Sequence, residues 1–293
     1  MYHNYHKHTC YSNLRTLDCV SKPMDYINRA KELGHTAYFT TEHGWQGNLW
    51  EAYSMCEQNG LKCICGAEVY YVDDRHQQDK SNYHLIIICK NKDGMKQLNK
   101  ILSSANTDGY YYKPRIDLEL LLTLNPKDVV ITSACVGSRL FKDDEYEDKF
   151  LKPIVKHFGD SFYLEIQCHI DDYQKEYNIK IKEVAERYGI EMIHANDSHY
   201  VYENEMKYRD LFLKAKGITY ESESNFILDY PTEEIIKKRY REQGVFTEEE
   251  VIRALNNTLI FDECEDLNLT KDIKLPKVHK DSDSNKLLKQ IIN

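Results

Sequence analysis

The chain has 293 residues, of which 41% are hydrophobic and 30% are charged, a composition that excludes an intrinsically disordered protein. Its formal net charge of -9 differs from the basic character of most nucleic-acid-binding domains, although bound divalent cations would create a positive field locally. The nine irregularly spaced cysteines, the lack of a signal peptide and the lack of a bilayer-length apolar run predict a soluble cytoplasmic protein with no membrane segment.

The length suits one α/β barrel with a small appendage, and short β-branched or aromatic runs alternate with helical periodicity in the first part of the chain. The predicted strands are Thr36–Thr40, Cys63–Val72, His84–Cys89, Val129–Thr132, Phe162–Gln167 and Glu191–Ala195. The predicted helices are Pro23–Leu33, Leu49–Asn59, Gly94–Ala105, Phe150–His157 and Tyr173–Tyr188. This order predicts βα units around a parallel sheet.

The last part of the chain differs from the first in composition. Residues 216–293 are charged and poor in strand patterns, and TEEEVIRALNNTLIFDEC carries apolar residues at helical spacing. The chain ends in a polar stretch, LPKVHKDSDS, that passes into the start of another predicted helix. We therefore predict a barrel over residues 1–215 and a mostly helical segment over 216–293 that leads towards a further part of a longer protein.

Histidines and a carboxylate stand in and around the first predicted strands. His6 and His8 occupy alternate positions, so both imidazoles of an extended segment share one face and can chelate one ion; ordinary surface segments also carry this pattern. His43 follows a predicted strand and is a candidate metal ligand. The alternative is a loop histidine that caps the next helix. Glu68 stands among apolar residues, where a carboxylate is costly unless an ion pair or a metal compensates it.

Four more candidates follow along the chain. His84 precedes the run LIIIC and Cys135 follows VVITSA, although a lone buried cysteine is more often a small apolar residue. Asp197 and His199 again take alternate positions after a strand, and this mixed ligand set suits Zn²⁺, Mn²⁺ or Fe²⁺ better than Mg²⁺. Because the carboxyl ends of parallel strands meet at one barrel mouth, the sequence predicts a multinuclear metal site there.

A set of short motifs carries a resemblance to a known family. They are HKHTCYS, RAKELG, TTEHG, GAEVYY, YHLIIICKNKDG, DGYYYKPRID, ITSACVGS, FYLEIQCH and NDSHYV, followed by NFILDYPTEEI and the closing LPK. In these motifs the chain resembles the PHP (polymerase and histidinol phosphatase) family, and within it the N-terminal PHP domain of bacterial DNA polymerase III alpha subunits. The resemblance covers essentially the whole chain.

The resemblance implies an α/β fold, a distorted (βα)7 barrel, with ligands for a multinuclear site of divalent metal ions. The positions of this sequence that match the family's ligands are His6, His8, Asp18, His43, Glu68, His84, Cys135, Asp197 and His199. Asp18 is the looser match, because it lies behind an apparent insertion, NLRTLD. Glu42 replaces the family's usual Asp, a change that spares His43 and is expected to alter the groups around it.

The resemblance also implies phosphoesterase activity. In polymerases that keep the ligands, it implies a proofreading 3′–5′ exonuclease that acts on the 3′ end of DNA. The implied partners are the polymerase palm and other domains of the same or a split polymerase, with the sliding clamp and replisome proteins reached through the full polymerase. A metal-stabilised scaffold without catalysis, a pyrophosphatase and a small-molecule phosphatase are the alternatives, and this chain alone is expected to lack polymerase activity.

Three further residues are candidates for binding substrate. Lys113 and Arg115 in YYYKPRID are predicted to orient phosphate, with the neighbouring tyrosines able to stack on bases; packing of this segment on the barrel or on a polymerase domain is an equal alternative. His169 in EIQCHIDD is either a structural histidine or a group that lies next to the metal ligands or the substrate.

Overall fold

The computed structural model describes residues 1–219, 225–269 and 284–292. The strands in those ranges are β1 (Ala37–Thr40), β2 (Lys62–Tyr71), β3 (Tyr83–Cys89), β4 (Tyr110–Tyr111), β5 (Lys113–Ile116), β6 (Val129–Thr132), β7 (Phe162–Gln167) and β8 (Met192–Ala195). The helices are α1 (Pro23–Glu32), α2 (Leu49–Asn59), α3 (Lys92–Thr107), α4 (Leu118–Leu121), α5 (Lys152–Phe158), α6 (Asp172–Tyr188), α7 (Met206–Lys216), α8 (Glu233–Gln243), α9 (Glu248–Asn257) and α10 (Ser284–Ile292).

One mixed sheet forms the centre of the protein. Its strand order is β4-β5-β2-β3-β6-β7-β8, and β1 pairs in parallel with β2. β6, β7 and β8 are parallel to one another, whereas β3 is antiparallel to both of its neighbours, β2 and β6. The predicted α/β fold is confirmed. The sheet is mixed and not purely parallel, because a loop and not a helix joins β2 to β3, and such a connection returns the chain in the opposite direction.

The N-terminal segment lies between the ends of β1 and β8. The backbone N–H of His8 donates to the carbonyl of Ser198 at 2.7 Å, and the N–H of Ser198 donates to the carbonyl of His6 at 3.2 Å. On the other side, the hydroxyl of Thr41 donates to the carbonyl of Lys7 at 2.8 Å. The curled sheet and this segment thus form a barrel-like ring with its mouth at the C-terminal ends of the parallel strands.

Alternation along the strands divides the apolar residues between two cores. Ile86 and Ile88 of β3 belong to the cluster inside the barrel, whereas Ile87 between them belongs to the larger cluster under the helices. The inner cluster consists of Tyr5, Ala37, Phe39, Ile64, Ile86, Ile88, Val130, Ala134, Ile193, Ala195, Phe261 and Cys264. This inner core supports the polar side chains at the mouth.

The hairpin of β4 and β5 is a feature that the sequence did not predict. Its strands are very short, and Tyr112 between them has a φ of 61°, a left-handed conformation that reverses the chain. β5 then pairs in parallel with the end of β2, through Tyr70 with Arg115 and Tyr71 with Ile116. The hairpin is therefore attached to the barrel beside the mouth.

The C-terminal part packs against the barrel. α8 buries Ile236 and Tyr240, and α9, predicted from TEEEVIRALNNTLIFDEC, is confirmed. The polar stretch with the LPK motif lies outside the described residues, apart from the start of α10 that follows it. The boundary at residues 215 and 216 stays a prediction. None of the helices in the described ranges is both long enough and apolar enough to cross a membrane.

Candidate metal centre

The predicted ligands come from separate elements that end or begin at the barrel mouth. His43 follows β1, Cys135 follows β6, and Asp197 follows β8, as expected for parallel strands. His84 is at the start of its strand, yet it lies at the same mouth, because β3 runs antiparallel to β2. Strand direction therefore explains why this one histidine precedes its apolar run.

A first group of ligand atoms surrounds one oxygen of Glu68. Oε2 of Glu68 lies 2.9 Å from Nε2 of His6 and 3.2 Å from Nε2 of His8. Oδ1 of Asp197 lies 3.1 and 3.2 Å from the same two nitrogens. Ligand atoms that share one ion at about 2.0–2.2 Å are roughly 3.0–3.6 Å apart, so the group has the dimensions of one ion site.

A second group faces the other oxygen of Glu68. Oε1 lies 3.2 Å from Nδ1 of His84, which is 3.5 Å from the sulfur of Cys135. Gly137 makes room for this imidazole, since a Cβ at that position would lie 2.8 Å from Nδ1 of His84. Glu68 therefore connects two neighbouring groups of donors through its two oxygens.

A third group contains Asp18. Its Oδ2 lies 3.1 Å from Nε2 of His43 and 3.3 Å from Nε2 of His199. The ring of His43 stacks on that of His8 with 3.8 Å between centroids, which joins the third group to the first. The structure thus brings all nine candidate ligands together, Asp18 included, and metal binding by them stays a prediction.

Hydrogen bonds to the second ring nitrogen orient three of the histidines. Nδ1 of His8 lies 3.0 Å from the hydroxyl of Ser12, and Nδ1 of His199 lies 2.7 Å from the carbonyl of Asp197. Nδ1 of His6 lies 2.8 Å from Oε1 of Glu165. When Nδ1 donates its proton to these groups, the Nε2 lone pair faces the carboxylates, as in metal-binding histidines.

Asp197 provides an independent test of whether these residues fit a metal. Its Oδ1 is buried and has no well-directed hydrogen bond among the described residues, although two imidazole nitrogens are near it. The residue also has a φ of 51°, and Ala134, just before Cys135, has a φ of 60°. A bound cation would satisfy the buried oxygen, and strained backbone of this kind is typical of functional sites. The donor set therefore fits divalent metal ions.

The electrostatics of the cluster favour ionised partners. Burial alone would lower the pKa of His6, but the carboxylates of Asp197 and Glu165 raise it well above its ordinary value. Burial alone would raise the pKa of Glu68, but the imidazoles of His84 and His43 lower it well below its ordinary value. Because the same nitrogens would bind either protons or metal, metal binding should release protons.

Lys113 lies at the edge of this cluster. Its ammonium donates to the hydroxyl of Thr16 at 2.7 Å and to the carbonyl of Arg15, and it lies 5.1 Å from the centre of the Tyr70 ring. Burial lowers the pKa of Lys113, while the nearby carboxylate of Asp18 opposes that shift. Lys113 therefore anchors the loop that carries Asp18.

Arg115 has a different environment from Lys113. Its guanidinium is buried and donates to the backbone carbonyls of Gly109, Asp79, Arg75 and Gln77. These contacts attach the loop between β2 and β3 to the hairpin. They favour the packing alternative for Arg115, and the structure does not place it among the metal-site residues.

Two glutamates surround the candidate ligands: Glu165 was not predicted, whereas Glu42 was expected to affect the groups around His43. Glu165 on β7 accepts hydrogen bonds from Tyr5 and Thr132 in addition to His6. Glu42 accepts from Ser12 at 2.5 Å, as well as from Thr9 and Asn48. A carboxylate in a predicted apolar strand was the available signal for Glu165, the same signal that identified Glu68.

A family model describes the first part of this chain. The PHP domain model matches residues 4–169, more than half of the chain. The chain belongs to the PHP domain family. The match includes the His6 and His8 pair and ends at His169, so Asp197 and His199 reach the site from beyond the matched range.

Individual relatives are also similar. DNA polymerase III subunit alpha of Borreliella burgdorferi is 30% identical over 277 residues, which cover 90% of this chain and 24% of the relative. The Deinococcus radiodurans subunit is 32% identical over 257 residues, which cover 81% of this chain and 19% of the relative. The chain thus spans about a quarter or less of the length of these polymerase subunits.

Solved structures provide a weaker likeness. An amidohydrolase from Chromobacterium violaceum, crystallised with sulfate and without metal, has a TM-score of 0.43 and 14% identity, with 67% of this chain and 87% of that chain covered. The PHP family assignment rests on the sequence match and not on this likeness.

Proposed function

We propose that this PHP domain is a metal-dependent phosphoesterase that removes nucleotides from the 3′ end of DNA. The shared carboxylate of Glu68 carries the proposal. Its Oε2 faces His6 and His8, and its Oε1 faces His43 and His84. One carboxylate between two sets of imidazoles suits adjacent metal ions, the arrangement used by many enzymes that cleave phosphate esters.

The side chains around the ligands would keep this arrangement rigid. When bound, paired divalent ions supply a nucleophilic water at neutral pH and stabilise charge on the phosphate. Glu165 orients His6, and Ser12 with Glu42 orients His8, so the imidazoles are aligned before any ion binds. Such outer partners typically change metal affinity or activity 10- to 100-fold when they are removed.

DNA as the substrate is supported by the surface next to the site and by the relatives. Two of the three N–H donors of the Lys113 ammonium are used by Thr16 and Arg15, which leaves one for a substrate phosphate. Tyr110 and Tyr112 on the same hairpin are 53% and 64% exposed, as required for stacking on unpaired bases. The matched relatives are polymerase subunits, so we also propose that the domain acts beside a polymerase active site, where 3′ ends are produced.

The test compares nucleotide release by matched variants. Protein loaded with Mn²⁺ or Zn²⁺ is given 3′-labelled single-stranded DNA and duplex DNA with a 3′ mismatch. We expect wild type to release labelled mononucleotide, and an Asp197→Asn, His199→Ala double variant to lose at least about a hundredfold in rate. The matched control is an Asp144→Asn, His76→Ala double variant, because both of these side chains are exposed.

The near-complete burial of the ligands favours one alternative, a metal-stabilised scaffold. His6, His8 and Glu68 have no exposed surface, so an ion bound there would become part of the core. If wild type is inert on DNA while the Asp197→Asn, His199→Ala variant loses metal and melts at a lower temperature, the scaffold is correct. Pyrophosphate and histidinol phosphate are offered in parallel, and hydrolysis of either in place of DNA would replace the proposed substrate.

A further inference from the structure

Three polar side chains lie in line along the end of β7. Glu165 and Gln167 occupy alternate positions near the end of β7, on the face that points into the barrel, and His169 follows two residues after the strand ends, at the next alternate position of EIQCH. All three are buried. Glu165 orients the proposed metal ligand His6. The surroundings of His169 indicate what this third residue does.

Hydrogen bonds along this line determine the tautomer of His169. Oε1 of Glu165 lies 2.8 Å from the amide nitrogen of Gln167, and this nitrogen must donate because a carboxylate only accepts. The amide oxygen of Gln167 therefore faces Nε2 of His169, at 3.1 Å. That oxygen can only accept, so the proton of the neutral imidazole is on Nε2, and Nδ1 has a free lone pair.

Nδ1 of His169 is a buried acceptor that has no hydrogen-bond partner within residues 1–219, 225–269 and 284–292. The residue is only 2% exposed, and no group among the described residues hydrogen-bonds to this nitrogen. Buried polar atoms are nearly always hydrogen-bonded in folded proteins, and the exceptions call for an explanation. An explanation in terms of a ligand requires that Nδ1 is held rigidly and lies next to the site.

The position of the ring is tightly determined. The imidazole stacks on Phe226 with 4.5 Å between centroids and 11° between planes. The carbonyl of His169 accepts from Nε2 of Gln243 in α8 at 2.8 Å, and the same amide donates to the carbonyl of Gln167 at 3.2 Å. The C-terminal segment therefore holds the end of β7 in place.

The pairing of β7 with β8 shows that His169 and Asp197 follow adjacent parallel strands at the same end of the sheet. The last pair between β7 and β8 is Gln167 with Ala195, and two residues further along each chain are His169 and Asp197. Burial lowers the pKa of His169 to about 3, and the nearby charges of Asp197 and His199 also act on it. The imidazole is thus neutral at physiological pH, and His169 is absent from the groups whose ligand atoms converge within 4.8 Å in the described residues.

We propose that His169 orients the reacting groups: its Nδ1 accepts a hydrogen bond from an O–H group of the substrate, or of a water molecule, bound at the metal centre. Two sources have this chemistry: the 3′-hydroxyl of the terminal nucleotide, and the water molecule that attacks the phosphate. This inference depends on the proposed phosphoesterase function. A neutral imidazole with its other nitrogen committed to Gln167 orients such a group and is too weak a base to remove its proton.

The test uses two variants and two substrates. His169→Phe keeps the ring that stacks on Phe226 and removes the acceptor, whereas His169→Asn restores an oxygen near the position of Nδ1. The substrates are single-stranded DNA with a 3′-hydroxyl or a 3′-deoxy end. We expect the phenylalanine variant to lose about tenfold in kcat/KM on the 3′-hydroxyl substrate, and the asparagine variant to recover most of it. His76→Phe, at an exposed histidine, is the control.

The two substrates distinguish the two sources of the O–H group. A loss confined to the 3′-hydroxyl substrate assigns the sugar hydroxyl, and an equal loss in kcat on both substrates assigns the water. Rates of the phenylalanine variant within twofold of wild type on both substrates would overturn the role of His169 while leaving the phosphoesterase intact. An inert wild type would overturn the proposed function and this inference together.

A measurement without catalysis tests the tautomer separately. In metal-free protein, ¹⁵N NMR of the histidine side chains should show His169 as the neutral Nε2–H form between pH 6 and 8, and Gln167→Leu should abolish that preference. An Nδ1–H or doubly protonated ring would contradict the proposal, because neither form leaves Nδ1 free to accept.

Discussion

Two short motifs of this protein each contain two buried histidines with different partners. GHTAYFTTEHG contains His35 and His43, and IHANDSH contains His194 and His199. His43 and His199 lie against the carboxylate of Asp18, whereas His35 and His194 lie 2.7 and 2.8 Å from the hydroxyls of Tyr230 and Tyr240.

The two classes differ in charge although both are buried. The pKa values of His43 and His199, which burial alone would lower, are raised by neighbouring acidic groups. Burial lowers the pKa of His35 to about 4 and that of His194 to about 3, and nearby cationic groups lower both further, whereas Glu233 opposes the shift of His35 only in part. Among these four buried histidines, the neighbouring groups and not the degree of burial distinguish the two candidate metal ligands from the other two.

The largest effect is expected from removing the shared carboxylate. Glu68→Gln keeps the shape of the side chain but removes its negative charge, which weakens metal binding by both sets of donors that face its two oxygens. We expect kcat/KM on 3′-labelled DNA to fall by about a thousandfold and the bound metal to decrease by at least one ion per chain. Metal analysis and nuclease assays check this, with Glu249→Gln on the exposed surface as the control. Full activity of the Glu68 variant would refute a shared carboxylate.

Paired alanine variants should separate the two classes of histidine. His194→Ala leaves a cavity and removes a partner from both Tyr240 and Asn196, so we expect it to lower the free energy of unfolding by about 2–4 kcal/mol with metal content unchanged. His199→Ala should instead lose metal. Urea denaturation and metal analysis of both variants provide the check, and the same phenotype in both would remove the distinction.

Changing a residue that hydrogen-bonds to a candidate metal ligand should have an intermediate effect. Glu165→Gln keeps a hydrogen-bond acceptor for His6 but removes the negative charge. We expect metal affinity to weaken 10- to 100-fold, because the charge increases the basicity of the imidazole. Competition with a chromophoric chelator measures the affinity. An unchanged affinity would show that Glu165 only packs against Tyr5 and Thr132.

The smallest effect concerns the pH dependence of stability. His35 has a folded pKa of about 4, below its usual unfolded value of about 6.5, so the unfolded chain binds more protons between these values. Stability from this residue is present above about pH 6.5 and is lost as the pH falls towards 4. Between pH 7.5 and 5, we expect the free energy of unfolding of His35→Asn to fall by about 1–2 kcal/mol less than that of wild type. Urea denaturation with chelator present measures both values. Equal losses would show that His35 is protonated in the fold.

Most strands and helices could be predicted from local patterns, and the features that were missed have physical causes. The strands β6 and β7 and the helix α2 begin and end at the residues predicted from the sequence. The β4–β5 hairpin was missed because its strands are too short for periodicity to be detected, and its turn depends on the unusual backbone of Tyr112. Strand direction also could not be predicted, since alternation is the same in parallel and antiparallel strands.

The sequence alone determined which side chains stand together on one face of a strand, because alternation acts over two residues. This local rule, joined to the family resemblance, identified the pairs His6 with His8 and Asp197 with His199. The tertiary structure decided which carboxylate each imidazole meets, since His6 is 62 positions from Glu68 and 159 from Glu165. Such contacts depend on sheet register and strand direction, and they distinguish a candidate metal ligand from a buried neutral histidine.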